Sequence, residues 1–332
     1  MDIVTQGLLG GVLAQSVAHR HEKRIASVVG VVAGLLADAD VLIGSASDPL
    51  LNIEYHRHFT HSLVFIPIGA AIAALLLWPF LRRSVTPSRL YVFSLAGYSM
   101  SGMLDALTSY GTHLFWPFTD DRLSLNIISI VDPVFTLILM IGLVLGFWRR
   151  SQAMVLTAIV LCVTYLGLAW IQHQRADTLA MQLAQSRGHQ PEQSLVKPTL
   201  ANLLLWRSVY IESDRIYVDA VRPGMFSGAR IYEGESVPLF QGPVELESLA
   251  PGTVLYRDIQ RFVEFSDGYV AFDPNQPNVL GDIRYSMLPV SARPLWGIVV
   301  DIGEPKQHVD YRFFRESNAH ERQVFLDMVL GR

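Results

Sequence analysis

The stretch that decides the fold runs from Ser62 to Leu81 and reads SLVFIPIGAAIAALLLWPFL, twenty residues without a charged side chain. An α-helix needs about 20 apolar residues to cross the hydrocarbon core of a bilayer. This run therefore predicts a transmembrane helix. The composition of the chain agrees, since 51% of its 332 residues are hydrophobic and 17% are charged, against about 25% charged residues in soluble domains.

Further apolar runs lie on both sides of this stretch. Together they predict six transmembrane helices, at Ile3 to Ala18, Ile25 to Gly44, Ser62 to Leu81, Leu90 to Leu107, Ile127 to Trp148 and Ala153 to Ile171. The first run is short and the fourth is rich in glycine and serine. For these two, a re-entrant or interfacial helix is the alternative.

The basic residues of the connecting loops predict the orientation of the helices. Between spans 1 and 2, 3 and 4, and 5 and 6 lie Arg20, Lys23, Arg24, Arg82, Arg83, Arg89, Arg149 and Arg150. The opposite loops hold only Arg57 and Arg122. Because positively charged loops stay in the cytoplasm, the opposite loops are expected on the outer face, together with everything after residue 172.

The character of the sequence changes after Ile171. Residues 172–200 predict a helical extension and linker. From Ser208 onward, short runs alternate between apolar and polar residues, and two hairpins are predicted around the turns at 213–214 and 266–268. We therefore predict an α-helical polytopic membrane domain at 1–171 and a β-rich extracytoplasmic domain at 201–332, which closes with a short helix.

Ionisable residues gather at the predicted outer ends of the spans. Asp38 and Asp40 lie near the end of span 2, His56 and His61 precede span 3, and Asp105 lies near the end of span 4. Ionisable groups near a bilayer are unfavourable and are candidates for function. Each of these residues alone could be a helix cap or an interfacial group. Their shared depth favours a site built between bundled helices.

Imidazole and carboxylate groups are ligands that zinc takes in proteins. His56 and His61 could converge if His56 lies in the loop and His61 in the first turn of span 3, whereas His58 and His61 are the alternative pair on one helical face. Thr60 and Ser62 are candidates for capping span 3 and for supporting the ligands. A bound zinc lowers the pKa of water to about 7 and makes hydroxide available at neutral pH.

These residues define a candidate centre for a divalent metal, with zinc as the first choice. His56, His61, Asp105 and one of Asp38 or Asp40 are the expected ligands. A remaining carboxylate is the expected general base. Asp40 and Asp105 are the candidate catalytic residues, and Asp105 is also a candidate ligand. On the same face, Arg57 could bind an anionic substrate by a bidentate contact, although it could equally pair with the acids around it.

Four motifs resemble a known family. They are Met1–Gly7 (MDIVTQG), Asp38–Asp40 (DAD), His56–Ser62 (HRHFTHS) and Leu104–Gly111 (LDALTSYG). Over roughly residues 1–150 they are similar to the YdjM/YbcI-type (LexA-regulated) inner-membrane family. The resemblance implies a metal-dependent hydrolase of the bacterial inner membrane. At matching positions it implies the site residues Asp38, Asp40, His56, His61 and Asp105.

Composition and location limit the classes of partner that the chain is expected to have. The net charge of −4 argues against a nucleic-acid partner held by a basic surface. Membrane lipids are the expected surroundings, and the outer face favours a lipid-like or envelope-derived substrate such as a phosphoester. One alternative is a membrane scaffold whose external domain binds an envelope protein. Another is a cation or proton transporter, which the lack of charged residues at mid-span disfavours.

Overall fold

A computed structural model describes residues 1–224, 228–246 and 248–332 of the chain. Contacts between its residues divide the chain into two compact units. The helical unit comprises Met1–Ile43, Tyr55–Ile171 and Leu200–Asn202. The β unit comprises Gly44–Glu54, Gln172–Thr199 and Leu203–Arg332, of which residues 225–227 and 247 are not described.

The helical unit is built from apolar helices and short 3₁₀ turns. The helices are α1 (Ile3–Ser16), α2 (Lys23–Leu36), α4 (Ile66–Leu81), α5 (Pro87–Tyr98), α6 (Ser101–Ala106), α7 (Pro133–Arg149) and α8 (Gln152–Ser186), and the division between the units falls within α8. The 3₁₀ turns at Ala37–Leu42 and Phe59–His61 carry residues of the predicted site.

Three helical stretches in the described part of the chain are long and apolar enough to cross a membrane. They are Lys23–Leu42, Leu63–Leu81 and Gln152–Ser186. On α4, the side chains of Leu75 and Phe80 are 71% and 81% exposed, as expected of a surface that faces lipid. The helical N-terminal region with candidate membrane spans is therefore confirmed.

Six transmembrane helices are not confirmed, because three predicted spans differ from the observed helices. The first is a helix of 14 residues, and the fourth is divided into α5 and α6. The fifth starts at Pro133, because Asp132 caps the helix by accepting a hydrogen bond from the Phe135 amide. Proline at the first helical position favours this start.

Helices α1, α2 and α5 approach one another at glycines. A Cβ on Gly10 would lie only 2.8 Å from the carbonyl oxygen of Gly97 and would also overlap the backbone of Gly30. Small residues at helix crossings let backbones pack closely inside a membrane. Near the end of α2, a Cβ on Gly34 would lie 2.8 Å from the carbonyl oxygen of Gln6. The turn that carries Asp38 and Asp40 follows this close contact.

The β unit contains two four-stranded antiparallel sheets. The first has the order β1 (Gln193–Pro198), β2 (Trp206–Glu212), β3 (Arg215–Arg222), β4 (Arg230–Pro238), and the second has the order β5 (Val270–Asp273), β6 (Gln276–Asp282), β7 (Trp296–Val299), β8 (Asp310–Phe313). A shared core joins them, with Val209 and Val218 from the first sheet packed with Ala271 and Ile283. The helices of this unit are α3 (Leu51–Tyr55, whose last residue belongs to the helical unit), α9 (Val254–Phe265) and α10 (Ala319–Leu330).

The sequence predictions for this region have mixed outcomes. The hairpin around 213–214 is confirmed, since Glu212 pairs with Arg215 at its end. Residues 193–198, predicted as part of a linker, form strand β1.

The hairpin predicted around 266–268 is wrong, because residues 254–265 form α9. Leu255, Ile259 and Phe262 are buried and follow the helical period, which prevails over the short alternation at 261–265. Gly268, with φ 78°, follows the end of this helix.

Candidate metal centre

His61 lies at the centre of the predicted site. It ends the 3₁₀ turn Phe59–His61 and is 1% exposed. Its Nε2 atom lies 3.3 Å from Oδ1 of Asp38 and 3.1 Å from Oδ2 of Asp105. Its Nδ1 atom lies 3.1 Å from Oδ2 of Asp40. The Nε2 atom of His61 therefore faces two carboxylates, and its Nδ1 atom faces one.

A close backbone contact brings Asp105 to this ring. On α6, a Cβ at Gly102 would overlap the carbonyl oxygen of His61, so only glycine lets the helix approach the 3₁₀ turn this closely. Asp105 follows Gly102 by three residues and therefore projects from nearly the same face of α6. Its side chain is fully buried.

Asp40 organises the loop that precedes His61. Its Oδ2 atom accepts hydrogen bonds from the Arg57 amide at 2.8 Å and from the Thr60 hydroxyl at 2.7 Å. Its Oδ1 atom lies 2.9 Å from Nδ1 of His56. A carboxylate that holds an imidazole from behind is the usual support of a metal-binding histidine, and Asp40 stands in that position toward His61.

Arg57 supplies positive charge inside the site. Its Nε atom lies 3.3 Å from Oδ2 of Asp105, and its guanidinium donates a 3.0 Å hydrogen bond to Thr108. The other oxygen of Asp105 accepts a hydrogen bond from the Met1 amino group. Arg57 is 4% exposed and has φ 61°. Its side chain is thus engaged with the protein's own acids.

Several buried polar atoms at this point form no hydrogen bond of acceptable geometry among the described residues, although three of them are joined by ion-pair contacts of 3.1 and 3.3 Å. They are Oδ2 of Asp38, Nε of Arg57, Nε2 of His61 and Oδ2 of Asp105. A buried polar atom without a hydrogen bond is unfavourable by about 1–3 kcal/mol. Ligand atoms of Asp38, His61 and Asp105 all lie within 4.8 Å of one another. Two carboxylates and one imidazole at this spacing fit a divalent cation such as zinc.

The sequence of the helical region has relatives. The family model of the YdjM inner membrane protein matches residues 1–176, which is more than half of the chain. The chain belongs to the YdjM inner membrane protein family. This confirms the resemblance carried by the four motifs. Asp38, Asp40, His56, His61 and Asp105 all lie within the part that matches the YdjM family.

A curated relative agrees with this assignment. Inner membrane protein YbcI of Escherichia coli (strain K12) is 30% identical over 95 residues, which cover 28% of this YdjM-family chain and 54% of that protein. The chain thus spans about half the length of this relative. No solved structure gives a significant match. Family membership and apolar helices together support a location in the inner membrane.

His56 occupies a different position from His61 in this YdjM-family site. Its side chain is 24% exposed and contacts Asp40, and its ring centroid lies 6.4 Å from that of His61. Of the predicted ligands, the structure brings Asp38, His61 and Asp105 together and leaves His56 at the rim. His58, from the alternative pair, contacts the ring of His113 instead, with a centroid distance of 4.4 Å.

Two supporting residues agree with their predicted roles. Ser62 accepts a hydrogen bond from the Phe65 amide and caps the following turn, while Thr60 supports Asp40. Thr108 and the Met1 amino group are contacts that sequence reasoning missed. Their motifs, MDIVTQG and LDALTSYG, carry the only sequence signal for them.

Proposed function

We propose that this protein is a membrane-bound hydrolase of the YdjM family that uses a divalent metal, with zinc as the first choice. The observation that carries the proposal is the spacing of Asp38, His61 and Asp105, whose ligand atoms lie within 4.8 Å of one another and include buried atoms that form no hydrogen bond among the described residues. A divalent cation at this point would polarise the substrate and lower the pKa of water.

The ligand set that we propose is Asp38, His61 and Asp105. Asp40 holds the His61 ring by its Nδ1 atom and fixes which nitrogen faces the other two acids. Arg57 offsets the charge of the buried carboxylates. We assign Arg57 this role rather than substrate binding because its guanidinium is buried and already contacts Asp105 and Thr108.

His56 is the group that we propose as general base, acting with Asp40. Its Nδ1 atom lies 2.9 Å from Oδ1 of Asp40, and its side chain is the most exposed of the five candidate residues. A histidine oriented by a buried carboxylate can take up a proton, because the carboxylate stabilises the imidazolium. Asp40 thus contributes to proton transfer through His56.

The topology that we propose has six membrane passages, with the site and the β unit on the outer face. The eight basic residues of the alternate loops support this orientation. A site at that face favours a lipid-like or envelope-derived substrate, and a phosphoester suits a divalent metal centre, because the metal polarises a phosphoryl oxygen. The partners in this proposal are lipids rather than nucleic acid.

Elemental analysis of detergent-purified full-length protein tests the proposal. We expect about one zinc or manganese ion per wild-type chain, near-complete loss in His61→Ala and retention in His19→Ala, whose side chain is exposed. A phosphoester screen on the metal-loaded protein follows. Absence of bound metal in the wild type after incubation with excess ions would contradict the hydrolase and favour the scaffold alternative.

A further inference from the structure

The segment Gly44–Glu54 connects the two halves of the candidate centre. It follows Asp40 in sequence and ends two residues before His56. Although it interrupts the helical region in sequence, it belongs to the β unit. The part of the chain that links two residues of the site is therefore packed with residues that come more than two hundred positions later.

A single arginine of α9 holds this segment at two points. The guanidinium of Arg261 donates to Oε2 of Glu54 at 2.8 Å and to Oδ1 of Asp48 at 3.1 Å. Its Nε atom also donates to the other oxygen of Glu54, which makes the contact bidentate. The two acids lie on either side of the start of α3, so that Arg261 holds this short helix near both ends.

Arg261 is itself fixed within the β unit. It donates a 2.9 Å hydrogen bond to Oδ1 of Asp258, which is 1% exposed. The other oxygen of Asp258 accepts from the Val309 amide at 3.1 Å and lies 2.9 Å from Nδ1 of His308. Isolated surface ion pairs contribute little to stability. A bidentate arginine that is 22% exposed and contacts three carboxylates has far better defined geometry.

The same cluster has the donor types of a cation site, since Asp48, Asp258 and His308 offer atoms within 4.8 Å of one another. However, Arg261 already donates to both carboxylates. A cation would have to displace the guanidinium and break its contact with Glu54. These hydrogen bonds therefore favour an arginine clamp over a second metal site.

We infer that Arg261 is a positioning residue for the candidate metal centre, because it fixes the segment that runs from Asp40 to His56. The positioning role rests on the proposed function, whereas the clamp on Gly44–Glu54 stands on the contacts alone. Loss of the clamp would let α3 move and would displace His56 from Asp40. Asp40 also orients the ring of His61, so a change at Asp40 reaches the ligand.

The test compares Arg261→Met with Arg257→Met in the full-length protein. Arg257 is an exposed arginine one turn earlier on α9 and serves as the matched control. Hydrogen–deuterium exchange of peptides that cover 44–54 should accelerate in Arg261→Met only. Affinity for Co²⁺ should fall by about tenfold, the lower end of the effect of removing support from metal ligands, and the visible absorption spectrum of the bound Co²⁺ should change.

Two further variants separate positioning from a general loss of structure. Arg261→Lys keeps the positive charge and should restore part of the Co²⁺ affinity and spectrum. Glu54→Gln removes one acceptor without changing α9, and it should reproduce the faster exchange if Arg261→Met fails to fold.

Three results would overturn the inference. Equal hydrogen–deuterium exchange at 44–54 in Arg261→Met and Arg257→Met would show that Arg261 does not hold this segment. Faster exchange in Arg261→Met with unchanged Co²⁺ affinity would show that Arg261 does not position the metal centre. A second bound zinc that is lost in Asp48→Asn but kept in His61→Ala would replace the clamp with a metal site. A wild type that binds no metal would instead overturn the proposed function, and the exchange measurement would still decide the clamp.

Discussion

His61 and Asp40 are joined through the Nδ1 atom of the imidazole, 3.1 Å from the carboxylate. This contact leaves the Nε2 atom directed at Asp38 and Asp105. Asp40 thus orients the imidazole ring so that its Nε2 atom faces the other two acids. An arrangement of this kind separates the residues that hold a cation from the residue that aims the ligand.

The first prediction concerns this division of roles. Asp40→Asn should weaken zinc binding by about 10–100-fold, as removal of a supporting carboxylate does at other sites. Asp38→Asn should weaken it further, because that variant removes a ligand. Competition with a chelator of known affinity measures both, and Asp121→Asn at an exposed position is the control. Equal affinities for wild type and Asp40→Asn would remove Asp40 from the centre.

Zinc affinity should also depend on pH. Burial disfavours the charged form of His61, but contacts with Asp105, Asp38 and Asp40 outweigh it and raise the pKa to about 10 in the metal-free protein. His61 is then protonated at pH 7 and must lose that proton to bind zinc. The affinity should fall by about tenfold for each pH unit below this pKa. Titrations at pH 6, 7 and 8 measure the slope, and a flat profile would count against His61 as a ligand.

Gly102 should tolerate no side chain. In Gly102→Ala the new Cβ would overlap the carbonyl oxygen of His61 and push α6 away, which should reduce stability by about 1–3 kcal/mol and lower the metal content. Gly167→Ala is the control, because a Cβ there meets no atom within 4 Å. Thermal unfolding in detergent and elemental analysis follow the two effects. Normal metal content in Gly102→Ala would show that the close contact is dispensable.

The buried amine of Lys197, in the β unit, should lower the free energy of unfolding at neutral pH. Its Nζ atom lies 3.1 Å from the centroid of the Tyr285 ring, and burial, with Arg207 nearby, lowers its pKa well below the usual value of 10.5. Between that lowered pKa and the usual one, the unfolded chain binds a proton that the folded protein excludes. The free energy of unfolding should therefore rise with pH in this window, by up to about 1.4 kcal/mol per unit.

Lys197→Met should remove this pH dependence and raise the melting temperature at pH 7. Lys306→Met, at an exposed position, should leave both unchanged. Melting of the full chain in detergent at pH 7 and pH 9 provides the comparison. A wild-type protein that is equally stable at both values would contradict a neutral buried amine.

Much of the fold could be predicted from hydrophobic patterns. The run from Ser62 to Leu81 is a candidate membrane span because its composition permits little else. Helix ends were harder to predict, since they depend on single side chains such as Asp132, which caps α7. The error at 261–265 has a related cause. Five alternating residues suit a strand, but Thr253 caps a helix that begins seven residues earlier.

The candidate site was predictable as a group of residues and not as a geometry. The predicted topology places Asp38, Asp40 and Asp105 at one level of the bundle. The sequence could not distinguish His56 from His61, because their difference depends on a 3₁₀ turn and on which ring nitrogen Asp40 contacts. The assignment of ligands stays a prediction until a metal is measured.

The contact between Arg57 and Asp105 also has a consequence for biosynthesis. Asp105 is the last member of its cluster to leave the ribosome, 48 positions after Arg57. A nascent chain that ends earlier carries an arginine destined for burial without the carboxylate that neutralises it. The smallest fragment able to assemble this centre must therefore extend past α6, and to Thr108 if the second hydrogen bond of Arg57 is to form.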